Sequence, residues 1–180
     1  VLAIGAKASF VARTIDMELD LTKEMLVEGA CHKGMAVTEA LVNCVIFNHG
    51  THACIADRET RADRSIILRH GEKMIFGKDR DKGLALDLSQ GLIPQIIVVP
   101  ADDPRVLTHD ATLQDPTLHR MLAMMGQDGD TTLPIALGVI RNVEAESYDM
   151  AVNQQICEVR EKSKAKTFDQ LTATLEQWEI

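Results

Sequence analysis

The stretch Met35–Phe47 (MAVTEALVNCVIF) is apolar apart from three side chains, those of Thr38, Glu39 and Asn43. A glycine precedes it, and the turn-forming residues Asn48–Gly50 follow it. A bounded apolar run of this kind predicts a strand buried on both faces, which is the usual situation in a parallel sheet covered by helices. This predicted strand decides the fold class.

The residues before it complete the pattern. Ala8–Thr14 (ASFVART) has the apolar, β-branched character of a short strand. A helix follows, with Asp20 as its predicted N-cap and an end at Lys33–Gly34. Its apolar positions recur at helical spacing: Leu21, Met25, Leu26 and Ala30. Strand, helix and strand in this order form half of a doubly wound unit, so we predict an α/β fold.

The rest of the chain predicts shorter elements. Val1–Lys7 reads as the end of a helix, and His49–Arg64 as a loop with a short helix. Ser65–Leu68 and Lys73–Phe76 flank His70–Gly71 as a predicted hairpin, with a charged turn at Gly77–Gly83. Further strands are predicted at Leu84–Leu86, Ile93–Val99, Val106–His109 and Ile135–Ile140, and helices at Pro116–Met125, Ser147–Ser163 and Thr167–Trp178.

Composition limits the classes of function. The chain has 180 residues, 46% of them hydrophobic, which is enough for a core. Its net charge of −8 argues against a nucleic-acid groove, since such grooves depend on clustered basic residues. We expect no membrane span, no signal peptide and a cytoplasmic protein. The chain opens in mid-pattern without Met, so we expect further sequence upstream.

The four cysteines, Cys31, Cys44, Cys54 and Cys157, form no Cys-x-x-Cys pair. The plain interpretation is four reduced and mostly buried thiols. Cys44 lies inside the predicted buried strand, where a lone cysteine is usually a core residue. It would serve an iron–sulfur cluster only if other ligands came from outside this sequence, because such clusters usually need four thiolates.

Two further patterns contain metal-ligand residue types. His49, His52 and Cys54 form His-x-x-His-x-Cys, but no fourth zinc ligand stands out, so solvated loop residues are favoured. His109–Asp110 is a possible metal dyad, although at an exposed strand end it is more often plain surface.

Two glycine-containing segments resemble phosphate motifs. Gly77–Gly83 (GKDRDKG) places three basic residues between two glycines, but it lacks the Gly-Lys-Ser/Thr order that leads into a helix. A charged hairpin turn is favoured, with a weak anion contact left open. Asp128–Gly129–Asp130 resembles the start of a thiamine-diphosphate motif, but no Asn-Asn pair follows it, so we interpret it as a turn.

Several segments along the chain, taken in order, form a recognisable series. They are Ala6–Arg13 (AKASFVAR), His32–Lys33–Gly34, Leu41–Asn48 (LVNCVIFN), Leu68–Gly83 (LRHGEKMIFGKDRDKG), Thr108–Asp110, Pro134–Arg141 (PIALGVIR), Tyr148–Asp149 and Trp178–Glu179. This series resembles the beta (thiamine-diphosphate-binding) subunits of 2-oxoacid:ferredoxin oxidoreductases, specifically the C-terminal half of the 2-oxoglutarate branch. The likeness spans essentially the whole chain.

The resemblance implies an oxidoreductase subunit that uses thiamine diphosphate with Mg²⁺ and a 4Fe–4S cluster. Cys44 matches the distal cysteine that completes the cluster, while the other ligands and the thiamine-diphosphate motif would lie upstream. The family's members decarboxylate a 2-oxoacid, reduce ferredoxin and release an acyl-CoA, with an alpha subunit completing the hetero-oligomer. Asn43 stands where many relatives have Pro. No catalytic residue is assigned to this chain.

We therefore predict that residues 1–50 belong to the thiamine-diphosphate-binding lobe and that residues 51–180 form a C-terminal extension of strands and helices. The predicted function is oxidation of 2-oxoglutarate to succinyl-CoA with ferredoxin as acceptor. Two alternatives stay open. One is a pyruvate-preferring or broad-specificity enzyme of the same family, because nothing here decides the 2-oxoacid. The other is a non-catalytic module that docks an alpha-type subunit.

Overall fold

A computed structural model describes residues 1–89, 91–126, 132–165 and 167–173. It divides the chain into two compact units, Val1–Ala145 and Glu146–Ile180. The Asp128–Gly129–Asp130 turn, the end of the predicted last helix and the Trp178–Glu179 match lie outside the described residues. The predicted domain boundary at residue 50 stays a prediction.

The described elements alternate between helices and strands. In chain order they are α1 (Leu2–Gly5), β1 (Phe10–Ile15), α2 (Leu19–Cys31), β2 (Ala36–Leu41), α3 (Ala53–Ala56), α4 (Arg61–Arg64), β3 (Ser65–Leu68), β4 (Ile75–Phe76), β5 (Lys82–Asp87), β6 (Gln95–Pro100), α5 (Thr117–Met124), β7 (Ile135–Asn142), α6 (Tyr148–Lys162) and α7 (Phe168–Thr172).

The larger sheet has the strand order β2-β1-β7-β3. Strands β1 and β2 are parallel, as are β3 and β7, whereas β1 and β7 are antiparallel. All six residues of β1 are buried, because β1 has a paired strand on each side and packs against α2. The α/β prediction is confirmed, including the parallel strand–helix–strand unit formed by β1, α2 and β2.

Helix α2 differs from its prediction at both ends. Leu21 and Met25 are buried, as the helical spacing predicted, whereas the other two predicted apolar positions, Leu26 and Ala30, are exposed. The N-cap position is Glu18 rather than Asp20, which lies in the first turn, where a carboxylate favours the positive end of the helix dipole. The helix ends at Cys31, and the next residue, His32, already has an extended backbone.

The smaller sheet is antiparallel, with the order β4-β5-β6. The charged turn between β4 and β5 is confirmed as a hairpin turn. The predicted hairpin of Ser65–Leu68 with Lys73–Phe76 is wrong, because β3 pairs with β7 and β4 pairs with β5. Val106–His109 makes a single isolated bridge, between Lys73 and Thr108, instead of a strand.

The first unit contains two main groups of packed apolar residues. One lies between the two sheets and α5, and it includes Leu68, Leu84, Leu122 and Ile140. The other includes Phe10, Met25 and Leu137 and packs α2 against the larger sheet. Few of these residues are aromatic, in line with an aromatic content of 3%.

The described residues of the second unit include helices α6 and α7. Ser147 is the N-cap residue of α6, as predicted, and Thr167 caps α7 by accepting a hydrogen bond from the Gln170 backbone N–H at 3.3 Å. Within the described residues, no helix combines the length and apolar character needed to cross a membrane.

Candidate functional site

The candidate site lies where the parallel strands β1 and β2 end. The Asp16 backbone N–H donates to the Leu41 carbonyl at 3.0 Å, so the two strand ends lie side by side. The loop of residues 42–50 leaves the sheet at this edge. Ligand and cofactor sites in open α/β sheets usually lie at the carboxyl ends of parallel strands.

The structure places Cys44 in this loop rather than in a buried strand. Strand β2 ends at Leu41, and the side chain of Cys44 is exposed. The buried-strand prediction for Met35–Phe47 is therefore wrong. Strand β2 is the outermost strand of its sheet and pairs only with β1. Although α2 packs on it, its residues are only half-buried or exposed in the described chain.

Backbone amides surround the Cys44 sulfur. The Phe47 N–H donates to Cys44 Sγ at 3.5 Å, and the Asn48 N–H donates to the Cys44 carbonyl at 3.0 Å. The amides of Phe47 and then Ile46 lower the pKa of the Cys44 thiol. A thiolate is the form that binds metal, and N–H donors stabilise its negative charge. The loop therefore favours the ligand form of this side chain.

Asn43 closes the loop, a role that the sequence analysis did not assign to it. Its Oδ1 accepts from the Gly50 N–H at 2.9 Å, and its Nδ2 lies 3.3 Å from His49 Nδ1. Gly50 has a φ of 82°, which favours glycine. A proline at position 43 could not make these side-chain contacts. The asparagine therefore holds the loop through contacts of its side-chain amide.

The loop also exposes apolar side chains next to Cys44. Phe47 is 90% exposed and Ile46 is 80% exposed, with Val42 and Val45 more than half exposed. Scattered single apolar residues on a surface are ordinary, but a contiguous group usually marks an interaction site. We call residues 42–47 the Cys44 loop patch.

A buried arginine positions the strand that leads to this loop. Arg13 lies on β1 and its side chain is 3% exposed. Its Nε donates to Glu39 on β2 at 2.6 Å, and a second guanidinium nitrogen donates to the Ala123 carbonyl at 3.0 Å. A buried charge is tolerated only when it is paired and hydrogen-bonded, and these contacts meet that need. They also link β2 to the rest of the sheet.

The other candidate ligands are not brought together. His49 contacts Asn43, His52 is the N-cap residue of α3, and Cys54 is exposed. The described ranges contain no group of three or more His, Cys, Asp or Glu side chains able to hold a metal. The expectation of mostly buried thiols is wrong, because all four cysteines are exposed.

His109 also differs from its prediction, since it is 1% exposed rather than a surface residue. Its Nε2 donates to the Val139 carbonyl at 2.7 Å, which commits that ring nitrogen to the fold. Burial lowers the pKa of His109, and burial likewise lowers that of the neighbouring His119. The two neutral rings therefore belong to the packed interior.

The residues present fit a shared cluster site. Cys44 provides one exposed thiol with amide donors, which suits a ligand of a 4Fe–4S cluster, and the described part of the chain forms no complete ligand set around it. The remaining ligands would come from other sequence. No described residue is assigned to thiamine diphosphate or Mg²⁺.

The chain is similar to the 2-oxoglutarate oxidoreductase subunit KorB of Mycobacterium tuberculosis strain H37Rv, with 31% identity over 172 residues. The match takes in 92% of this chain and 43% of that relative, so the chain spans less than half the relative's length. No family model and no solved structure matches the chain. The identity confirms the predicted resemblance.

Proposed function

We propose that this chain is part of a 2-oxoglutarate:ferredoxin oxidoreductase and that Cys44 binds one iron of its 4Fe–4S cluster. The observation that carries the proposal is the exposed, amide-stabilised Cys44 thiol at the end of the parallel strands. The match to a 2-oxoglutarate oxidoreductase subunit along 92% of the chain supports the reaction class.

The proposed reaction converts 2-oxoglutarate to succinyl-CoA and passes the electrons to ferredoxin. Thiamine diphosphate with Mg²⁺ supplies the carbanion chemistry when bound, and the cluster supplies single-electron transfer. Within this chain, Cys44 holds iron, while the amides of Phe47 and Ile46 stabilise the negative charge of its sulfur. Asn43 keeps the loop closed, so the sulfur is held in position for a ligand set that comes from elsewhere.

The proposed partners are an alpha subunit, ferredoxin, the 2-oxoacid and coenzyme A, within a hetero-oligomer. The Cys44 loop patch supports this, because exposed apolar side chains around a cluster ligand need a cover that excludes water. Phe47 and Ile46 are the most exposed of these side chains. A cluster buried beneath a protein contact would be protected from solvent, and its potential would depend on that contact.

The experiment uses the full-length protein assembled with its alpha partner and purified without oxygen. Ferredoxin reduction is measured with 2-oxoglutarate or pyruvate, each with and without coenzyme A. The proposal predicts CoA-dependent reduction that is faster with 2-oxoglutarate. Faster reduction with pyruvate would replace the substrate assignment with the pyruvate or broad-specificity alternative.

One observation, the Cys44 loop patch, also supports the docking alternative. An exposed apolar surface would bind an alpha-type subunit whether or not the module is catalytic. A docking module gains nothing from a thiol at position 44. If no 2-oxoacid supports ferredoxin reduction and the Cys44→Ser variant still binds the alpha subunit with unchanged affinity, the docking function is correct. Loss of activity with assembly intact supports the enzyme.

A further inference from the structure

A cavity of about 370 Å³ lies between α4, β3 and the turn that joins β4 to β5. Its size is within the range of small-molecule sites. Apolar side chains from three elements line part of it, including Ile66, Ile75 and Phe76. Three arginines, Arg58, Arg61 and Arg80, line the rest together with one carboxylate, that of Glu18.

The positive charge of this cavity is only partly compensated. Glu18 is the single acidic residue that lines it, and Glu18 pairs with Arg61. Within the described ranges, the guanidinium groups of Arg58 and Arg80 make no hydrogen bond or ion pair, and both residues are exposed. Two uncompensated guanidinium groups therefore line one partly apolar cavity, which favours an anionic ligand.

Arg61, which lines this cavity, has its guanidinium held in one orientation by hydrogen bonds. Arg61 Nε donates to the Ile55 carbonyl at 2.7 Å, and its second terminal nitrogen donates to the Ala56 carbonyl at 2.8 Å. These bonds and the Glu18 pair fix the plane of its guanidinium. The sequence after α3 is thereby anchored close to the site, with Arg58 in the same short segment.

The turn that carries Arg80 is hydrogen-bonded to α4, the helix that begins with Arg61. The Gly77 N–H donates to the Ala62 carbonyl at 2.9 Å, and Lys82 Nζ pairs with Asp63 at 2.6 Å. Arg80 has a φ of 52°, in the left-handed region where glycine or asparagine is usual. The turn thus presents a long cationic side chain at a backbone position that favours a smaller residue.

An adjoining cavity of about 470 Å³ extends the site. It shares Glu18, Arg58 and Arg61 with the first and adds Met17 and Ala56. Met17 and Glu18 lie two and three residues beyond the end of β1, so the cavities lie at the end of the sheet from which the Cys44 loop also leaves. A ligand that fills both would be elongated and would contact the arginines along its length.

We propose that these cavities bind an organic anion whose phosphate or carboxylate group pairs with Arg58 and Arg80. Guanidinium groups match the geometry of both oxyanions, and charge-assisted hydrogen bonds are among the strong ones. The apolar part of the ligand packs on Ile67, which is 48% exposed, and on the half-buried Ile75, both of which an inorganic ion would leave uncovered. The site uses none of the cluster residues and stands independently of the proposed function.

The test is calorimetric titration of the full-length protein in its native assembly. Three probes separate the ligand chemistries: phenyl phosphate, benzoate and inorganic phosphate. The proposal predicts that at least one aromatic anion binds more tightly than inorganic phosphate. Tighter binding of phenyl phosphate assigns the oxyanion as phosphate, and tighter binding of benzoate assigns it as carboxylate.

Variants locate the binding. Arg58→Gln and Arg80→Gln each weaken binding about tenfold or more, because each removes a charge-assisted contact. Lys78→Gln removes a charge from the same turn without lining the cavity, so it changes affinity by less than about threefold. Among the residues that the structure describes, neither arginine side chain has a partner, so both variants should fold normally. Binding that is unchanged in the double arginine variant, equally weak in Lys78→Gln, or absent with all probes overturns the proposal.

Discussion

Gly138 is the position at which the larger sheet is most sensitive to an added methyl group. It lies on β7, opposite Arg13 on β1 and Leu68 on β3. Its φ is 86°, and a Cβ there would overlap the Leu68 carbonyl oxygen and lie 3.0 Å from the Leu68 nitrogen. We predict that Gly138→Ala destabilises the protein through both backbone strain and a clash with a paired strand.

The magnitude follows from these two terms. An L-residue held in left-handed backbone costs about 1–2 kcal/mol. Overpacking against atoms that cannot move adds about 1–3 kcal/mol, and here the opposing atoms are backbone. The sum is about 2–5 kcal/mol, which lowers the melting temperature by about 10 °C for a domain of this size.

Gly71 provides the matched control. Its φ is 80°, yet a Cβ at this position would meet nothing within 4 Å. Gly71→Ala therefore carries the strain without the clash and should lower the melting temperature by only about 5 °C. Calorimetry at a single scan rate, on the full-length protein in its native assembly, measures both variants. If Gly138→Ala melts no lower than Gly71→Ala, the close approach of β7 and β3 is wrong.

Three further predictions concern the site and its support. In metal-free protein, iodoacetamide should modify Cys44 before Cys31, since the amides of Phe47 and Ile46 lower the pKa of Cys44; equal rates by mass spectrometry would contradict this. Burial lowers the pKa of His119, so the unfolded chain binds the proton more readily and stability should fall as the pH drops below about 6.5. His119→Gln should flatten the change in melting temperature between pH 7.5 and 5.5; a profile identical to that of the wild type would refute this. Arg13→Met should destabilise by about 2–3 kcal/mol, because it removes the hydrogen bonds that the buried guanidinium donates to Glu39 and to the Ala123 carbonyl. Glu39→Gln should lower the free energy of unfolding by less than Arg13→Met does, since the Glu39 side chain is 53% exposed. A lower melting temperature for Glu39→Gln than for Arg13→Met would show that the Arg13–Glu39 pair does not position β2.

The sequence predicted those parts of the fold that depend on local pattern. The β-branched run of β1, the helical spacing of Leu21 and Met25, and the Pro116 start of α5 each indicate their element directly. Strand β3 shows where local pattern fails. Its partner is β7, near the other end of the first unit, so the neighbouring β4 was the wrong choice for a hairpin. Pairing between distant segments leaves no periodic signal in either one.

The Cys44 region shows a second limit. The apolar residues after Leu41 indicate a segment that favours burial. They do not show whether it is buried by the rest of this chain or by another protein surface. Within the described chain, β2 is an edge strand and Phe47 is 90% exposed. The same composition therefore predicted a buried strand where the structure has an exposed loop. The cysteine was found through its motif, whereas its amide donors and the Asn43 contacts depend on loop geometry.

The proposal that Cys44 binds a cluster iron is tested by the iron and sulfide content per chain of the full-length protein, assembled with the proposed alpha partner and purified without oxygen. The measurement compares wild type, Cys44→Ser and the exposed-cysteine control Cys54→Ser. If Cys44 is a ligand, wild type and Cys54→Ser contain about four irons per chain, and the cluster is lost or strongly depleted in Cys44→Ser. Iron that is absent from wild type, or unchanged in Cys44→Ser, would contradict it.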